Sequence, residues 1–250
     1  MRWAALVGTG LLLLAGCGGQ RDVAAPPSGT GFDYQLGGAY PPEDGVGIVV
    51  RDRTAPPDPD RYSVCYVNAF QTQPGEDAVP EDLLLHDATG ARVEDPDWPG
   101  EFLLDVSTAT KRRAVADLVG RWIDRCAADG YDAVEPDNLD SRTRSGGALA
   151  EDDAAATARL LIARAHADGL AIAQKNAVEL AGEDLGFDFA VTEDCAAFAE
   201  CAAYAAGYHV VLDVEYRGCA PVPGHVTAVH RDLELSVPGD PGYAFGACAR

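Results

Sequence analysis

Short apolar runs alternate along this chain with polar stretches punctuated by glycine and proline, the pattern of strands joined by helices or loops. Eight runs read as strands: Asp33–Leu36, Val46–Arg51, Tyr62–Asn68, Phe102–Val106, Tyr131–Asp137, Leu170–Asn176, Phe187–Glu193 and Val210–Glu215. Helical periodicity predicts long helices over 109–128 and 151–167, the second opened by Glu151, Asp152 and Asp153 and stopped by Gly169. Shorter helices are expected over 177–186 and 194–206. The early connections, 37–45, 52–61 and 69–100, hold so much proline and glycine that irregular loops should replace helices there. Strands alternating with helices imply a parallel sheet, and eight is the number that closes a (β/α)8 barrel. The expected fold is therefore α/β: a (β/α)8-type barrel in one domain, with irregular early βα units. A chain of 250 residues is of ordinary size for it.

The run Gly130-Tyr131-Asp132-Ala133-Val134-Glu135-Pro136-Asp137-Asn138-Leu139-Asp140 carries the strongest chemical signal. Alternation puts Ala133, Glu135 and Asp137 on one face of an extended segment. Pro136 lacks an N–H, so it marks the end of sheet pairing, and it holds Glu135 extended. The segment 141–147 that follows is polar and glycine-bearing, hence a loop. Carboxylates delivered to the C-terminal end of a barrel strand are where such folds keep their chemistry. A calcium loop fails, because Leu139 stands where an oxygen ligand is needed.

The same alternation collects polar groups at the ends of other strands: Asp105, Lys175, Glu193, Asp213 and Glu215. Their opposite faces, with Phe102, Leu104, Val134, Leu170, Ile172, Val210, Leu212 and Val214, suit packing under helices. Buried carboxylates are costly unless paired, so a mouth lined by so many reads as a site. Asp213, deeper in its strand, reads better as a hydrogen-bonded core group. Lys175 is one of two lysines against 17 arginines. It suits a compact donor to a hydroxyl or carboxylate, or an ion pair with Glu135 or Asp137.

The N-terminus reads as a targeting segment: Arg2, an apolar run from Ala4 to Ala15, then Leu14-Ala15-Gly16-Cys17. That tetrapeptide resembles a bacterial lipobox. The resemblance implies a signal peptide over 1–16, lipidation of Cys17 and anchoring outside the cytoplasmic membrane. A flexible tether is expected over 17–31 and the barrel over 32–250. Cys65, Cys126, Cys195, Cys201, Cys219 and Cys248 remain, an even count in an oxidising compartment, and six cysteines allow 15 pairings. Cys65 lies on the strand face opposite Tyr66, and Cys126 shares a helical stripe with Val115, Leu118, Val119, Trp122 and Ile123, so these two can meet. Cys195 and Cys201 lie close in sequence, and Cys219 with Cys248 would pin the tail. No spacing suits structural zinc, and no metal or cofactor is expected. A net charge of −21 argues against nucleic acid and anionic membrane as partners; it would attract a polycationic substrate, and it equally suits the acidity that keeps many exported proteins soluble.

In order along the chain come Tyr34-Gln35-Leu36, Glu101-Phe102-Leu103-Leu104-Asp105, the run 130–140, Ala165-His166-Ala167-Asp168-Gly169-Leu170, Gln174-Lys175-Asn176, Phe187-Asp188-Phe189-Ala190-Val191-Thr192-Glu193-Asp194-Cys195, Glu200-Cys201 and Val214-Glu215-Tyr216. This succession resembles the endo-α-1,4-polygalactosaminidases of glycoside hydrolase family 114. The resemblance implies a barrel that cleaves α-1,4-linked galactosamine or N-acetylgalactosamine polymers, with Asp137 and Glu193 as its acids and a Cys195–Cys201 disulfide. His166 falls in a helix of the motif and reads as structural. Glycoside hydrolysis needs two carboxyls flanking the bond. Asp137 is assigned as nucleophile or base and Glu193 as acid, its proton retained through repulsion by Glu215 or Glu135. Tyr34, Tyr66, Asp105, Glu135, Asn138, Asp140, Lys175, Asn176, Glu215 and Tyr216 are the expected sugar-holding residues. Phe32 stands where many members have tryptophan, and Val67-Asn68-Ala69-Phe70-Gln71-Thr72-Gln73 replaces a glycine-and-glutamate stretch. Both departures bear on the identity of the sugar. A polysaccharide substrate, no nucleic acid, membrane contact through the lipid alone and a monomeric state complete the expectation. The alternatives are a non-catalytic polysaccharide-binding lipoprotein on the same barrel and a hydrolase of another polysaccharide.

Overall fold

The computed structural model describes residues 23–74 and 79–248. Cys17 and the signal segment lie outside the described residues. Eight parallel strands run in chain order: β1 Gly31–Gln35, β2 Val46–Asp52, β3 Tyr62–Asn68, β4 Ala133–Asp137, β5 Ala171–Lys175, β6 Phe189–Glu193, β7 Val211–Glu215 and β8 Val226–Arg231. A short antiparallel β9, Phe245–Ala247, pairs with β8. Helix α1 spans Ala109–Asp129, α2 spans Glu151–Ala167 and α3 spans Cys201–Gly207. This is the expected (β/α)8-type barrel. No described helix is long and apolar enough to cross a membrane.

Membership of the barrel differs from expectation at one strand. Phe102–Val106 is extended but stays out of the barrel: Phe102, Leu103 and Leu104 make isolated antiparallel bridges to Glu94, Gln71 and Leu84. Strand β3 pairs directly with β4, Val64 opposite Ala133. The eighth place is taken by Val226–Arg231, whose threonine, histidine and arginine dilute its apolar signal. The helices expected over 177–186 and 194–206 shrink to a single turn at Val178–Leu180 and to α3. Positive φ values at Ala177 and at Ala199 break both segments where periodicity suggested continuity.

Two apolar layers follow from the pleat. Phe32, Tyr34, Ile48, Val50, Val64, Tyr66, Phe189, Val191, Leu212 and Val214 fill the barrel, with the small Ala133, Ala171 and Ala173 making room for the rings. Cys65, Val134 and Ile172 face outward onto Val115, Val119, Ile123 and Leu161 of α1 and α2. Helix α1 begins where the Thr108 side chain accepts the Lys111 N–H and ends at Gly130, whose φ of 97° suits glycine. Helix α2 lacks a side-chain cap at Ala150; the Asp153 carboxylate instead accepts the Ala150 N–H at 3.0 Å. Phe32 is fully buried in the barrel floor, so the replacement of tryptophan there alters packing rather than a sugar contact.

No strand ladder joins β1 to β8 among the described residues, and side chains hold this seam. Buried Arg231 donates to Asp33 Oδ1 at 3.2 Å, to the Ser236 carbonyl at 2.8 Å and to the Tyr34 carbonyl. Asp33 also accepts from Gln35 and Tyr40, so the buried pair is fully bonded, as such pairs must be. At the N-terminal face of the barrel, Tyr62 donates to the Ala24 carbonyl at 2.7 Å and Pro26 is buried. The described part of the stretch expected to be a tether therefore packs on the barrel.

Three disulfides are present: Cys65–Cys126, Cys195–Cys201 and Cys219–Cys248. The first joins β3 to α1 across 61 residues, the second spans only six. In the chain-entropy account a long loop restrains the unfolded chain more, so the first contributes about 4 kcal/mol and the second about 2. Urea unfolding of the paired alanine variants should show that order. A Cys195/Cys201 variant less stable than the Cys65/Cys126 variant would overturn it.

Candidate active site

The C-terminal ends of the strands open into a cleft of about 800 Å³, with Tyr34, Tyr66, Asp137, Asn138, Asp140, Asn176, Glu193 and Tyr216 among its walls. At its base sits Lys175, 1% exposed, at the end of β5. Its Nζ lies 3.0 Å from Glu135 Oε1, 3.1 Å from Asp137 Oδ1 and 3.2 Å from Glu193 Oε2, and it donates to the Tyr34 hydroxyl at 3.1 Å. One ammonium thus ties together the ends of β4, β5 and β6. Burial opposes its charge, but Asp137, Glu193 and Glu135 outweigh burial and hold its pKa well above that of ordinary lysine.

The three carboxylates have different surroundings. Asp137 Oδ2 accepts from the Tyr66 hydroxyl at 2.8 Å, and Oδ1 accepts the Asn138 N–H at 2.7 Å. Asn138 is left-handed, with φ of 66°, a bend that turns its own N–H onto the preceding carboxylate. Burial works against the charge of Asp137, but Lys175, the Asn138 N–H and Tyr66 overcome it, so its pKa lies below the ordinary aspartate value. Glu193 Oε2 accepts from Asn176 Nδ2 at 3.3 Å, Oε1 accepts from the Tyr216 hydroxyl, and its N–H returns to Asn176 Oδ1 at 2.9 Å. Glu135 lies below both, fully buried, with the Tyr34 hydroxyl donating to Oε1 at 2.7 Å and Oε2 unpartnered. Burial pushes Glu135 up to about 7 despite Lys175.

Of the expected sugar-holding residues, Glu135 and Lys175 are buried beneath the cleft rather than on its wall, and two others stand elsewhere. Asp105 leaves the barrel with its segment; it accepts the Ser107 N–H at 3.0 Å and faces Lys111 at 3.7 Å. Glu215 points away from the cleft, because Leu212 and Val214 are the residues of β7 that fill the barrel. Its Oε1 accepts the Ala196 N–H at 2.7 Å, and Asp213 accepts from Thr192 at 2.7 Å and from the Cys195 N–H at 3.2 Å. Glu215, bonded outward to the Ala196 N–H, therefore does not face Glu193 across the cleft as expected. Burial pushes Asp213, beside Glu215, up to about 7.

Other cleft residues were not singled out by the sequence. Asn68 Oδ1 accepts from Asn138 at 2.8 Å, and Arg144 binds Asp95 at 2.7 Å, Asn138 at 3.0 Å and Asp140 at 3.2 Å. Burial raises the pKa of Glu101, although Gln71 and Asn68 donate to it. Asp52, Asp95, Asp97, Asp194 and Glu234 add further carboxylates to the wall, against the lone guanidinium of Arg144 among the lining residues. Asp52 and Asn68 end β2 and β3, while Glu101 and Asp194 stand inside the runs that resemble the family, without an assigned role there. Asp95, Asp97, Arg144 and Glu234 come from loops far apart in the chain, so no local motif marks them.

The sequence profile of glycoside-hydrolase family GH114 matches residues 16–234. No curated protein sequence matches the chain. Among solved structures, Ega3 of Aspergillus fumigatus in complex with galactosamine superposes with a TM-score of 0.71 at 23% identity, covering 92% of this chain and all of that one. The glycoside hydrolase domain of PelA from Pseudomonas aeruginosa follows at a TM-score of 0.52 and 15% identity, with 86% of this chain and 98% of that chain covered. At these identities the two structures speak for a shared fold, and the profile speaks for descent. This chain is a glycoside hydrolase and belongs to family GH114.

Proposed function

We propose that the protein cleaves an α-1,4-linked galactosamine polymer by a two-carboxylate mechanism, with Asp137 as nucleophile and Glu193 as acid and then base. One observation carries the assignment: a single ammonium, Lys175, lies between the two carboxylates at the cleft floor. With Nζ at 3.1 and 3.2 Å from Asp137 Oδ1 and Glu193 Oε2, these oxygens are at most about 6.3 Å apart. So close an approach of the two facing oxygens favours the closely spaced carboxyls of the retaining pathway, which is the outcome proposed. Asp137, its pKa held down, stays ionised and ready to attack the anomeric carbon. Glu193, oriented by Asn176 and Tyr216, gives its proton to the departing glycosidic oxygen and later takes one from water. The acidic wall supports a substrate with protonated amines, which so many carboxylates attract by charge as they do not attract a neutral or anionic polymer.

Reducing-end release from polygalactosamine, its N-acetylated form and neutral and anionic polysaccharides tests this reading. Release from the cationic polymer is expected to be fastest and to slow with added salt. Equal rates on a neutral polymer would overturn the substrate, and an unreactive panel the activity.

We further propose that Cys17 carries lipid and that the barrel is held outside the cytoplasmic membrane with its cleft turned away from the bilayer. Ala24 and Pro26 pack at the N-terminal face, opposite the cleft, so a tether would leave from there. Cys17→Ser should shift the protein from the membrane to the soluble fraction or leave it unprocessed. Unchanged processing and fractionation would remove the anchor from the account.

A further inference from the structure

Large apolar side chains that stay exposed are few in this protein: Val23, Trp98, Leu160, Phe198 and Leu233 among the described residues. Three of these five, Trp98, Phe198 and Leu233, line the one cleft that holds Asp137 and Glu193. Phe198 is 61% exposed and Trp98 48%. Scattered single exposures are ordinary, but concentration around a single cleft points to a ligand.

Both rings are held on built turns. Phe198 lies in the loop closed by Cys195–Cys201, starting two residues after Glu193. Its own N–H donates to the Asp194 carbonyl at 3.0 Å, and Glu200 donates to the Cys195 carbonyl at 2.8 Å. From beneath, the outward-facing Asp213 and Glu215 accept the N–H groups of Cys195 and Ala196. Those two carboxylates, idle in the reaction, fix the platform on which Phe198 stands. Trp98 sits in a turn where Asp95 donates its N–H to the Glu101 carbonyl at 2.8 Å and Glu101 donates to the Trp98 carbonyl at 3.1 Å. Arg144 bonds Asp95 Oδ2 at 2.7 Å and so ties that turn to the loop after β4.

We propose that Phe198 and Trp98 are specificity-determining platforms for sugar units on either side of the one bound at Asp137 and Glu193. The inference rests on the proposed aminosugar substrate. An aromatic face receives the apolar face of a pyranose, and it attracts a protonated amine through its quadrupole. Because the turns are already ordered, little conformational freedom is lost when sugar docks. The two rings come from the loops after β3 and after β6, so a chain touching both would cross the catalytic pair. A single sugar at the catalytic pair has no such span.

The test is steady-state cleavage of defined α-1,4-galactosamine oligomers of increasing length by wild type, Phe198→Ala, Trp98→Ala and Phe198→Tyr. Each alanine variant should raise KM roughly three- to tenfold on long oligomers, the range spanned by one aromatic contact. The penalty should shrink as the oligomer shortens, and Phe198→Tyr should restore the wild-type KM. A loss equal at every length, or one residing in kcat and not rescued by tyrosine, would mean a structural role and overturn the platforms. A wild-type protein inactive on every galactosamine oligomer overturns the substrate reading and this inference with it. An active wild type with unaffected alanine variants overturns this inference alone.

Discussion

Asp137→Asn and Glu193→Gln are each expected to lower kcat by about 10²–10⁴-fold or more while leaving the fold intact. Each substitution keeps the size and one hydrogen-bonding oxygen of the side chain it replaces. Tyr66 can still donate to residue 137, and Asn176 and Tyr216 can still reach residue 193. What is lost is charge or proton transfer needed only in the transition state, so the effect falls on kcat and not on affinity. The two variants should then part company. If Asp137 is the nucleophile, an external anion such as azide can take its place in the Asp137→Asn cleft and restore some turnover with inverted product. A substrate with a good leaving group bypasses the acid role, so Glu193→Gln should keep its first step on an activated aryl glycoside and stall at the second. Activity near wild type in both variants would remove the pair from the mechanism. With Glu215 turned outward onto the Ala196 N–H, Glu135 would be the next carboxylate to test.

How much of this was legible beforehand depends on which physical signal each residue sends. The run ending in Pro136 and Asp137 was readable because a proline ends the ladder and alternation then assigns Glu135 and Asp137 to one face. Alternation names two faces but not which one is inside. On β4 the acids face the cleft; on β7 the same apolar–acidic alternation puts Leu212 and Val214 in the barrel and turns Asp213 and Glu215 outward. The difference lies in the partners, the N–H groups of Cys195 and Ala196, which belong to a loop whose position the local sequence does not encode. Strand β8 escaped for a related reason. Its Thr227 and His230 are half-buried, and Arg231 is wholly buried only because Asp33, far away in sequence, waits for it across the seam. Phe102–Val106 is the converse case. Its extended, apolar pattern was real, but its partners are Gln71, Leu84 and Glu94 above the barrel. The lysine among arginines was a compositional oddity whose meaning became clear only when three strand ends converged on it.

Lys175→Met should be the most damaging single change, in stability as well as in turnover. Among the described residues Lys175 is the only cation within salt-bridge distance of Glu135 and Glu193, and its loss leaves three carboxylates around an apolar chain. Breaking a buried ion pair by removing one partner typically costs about 3–5 kcal/mol, and protonation of the abandoned carboxylates offsets part of it. The pH dependence has a definite sign. In the wild type, Asp137 is depressed, so its share of stability is present above the ordinary aspartate pKa and is lost as pH falls through the lower folded value. Glu135 runs the other way: raised to about 7, it favours the folded state most below the ordinary glutamate pKa, and that advantage is gone once pH has risen through 7. Without Lys175 the pull on Asp137 and Glu135 disappears, and burial with the repulsion between these two lifts both carboxyls. The variant should therefore lose stability as pH climbs from about 4 towards 8, the span between ordinary and raised carboxyl values. Urea unfolding at pH 5 and pH 8 reads this out: the gap between wild type and Lys175→Met should be larger at pH 8. Activity at neutral pH should vanish in parallel, because a protonated Asp137 cannot attack. A gap that is the same at both pH values would mean that Lys175 serves as packing rather than as the charge on which the carboxylates depend.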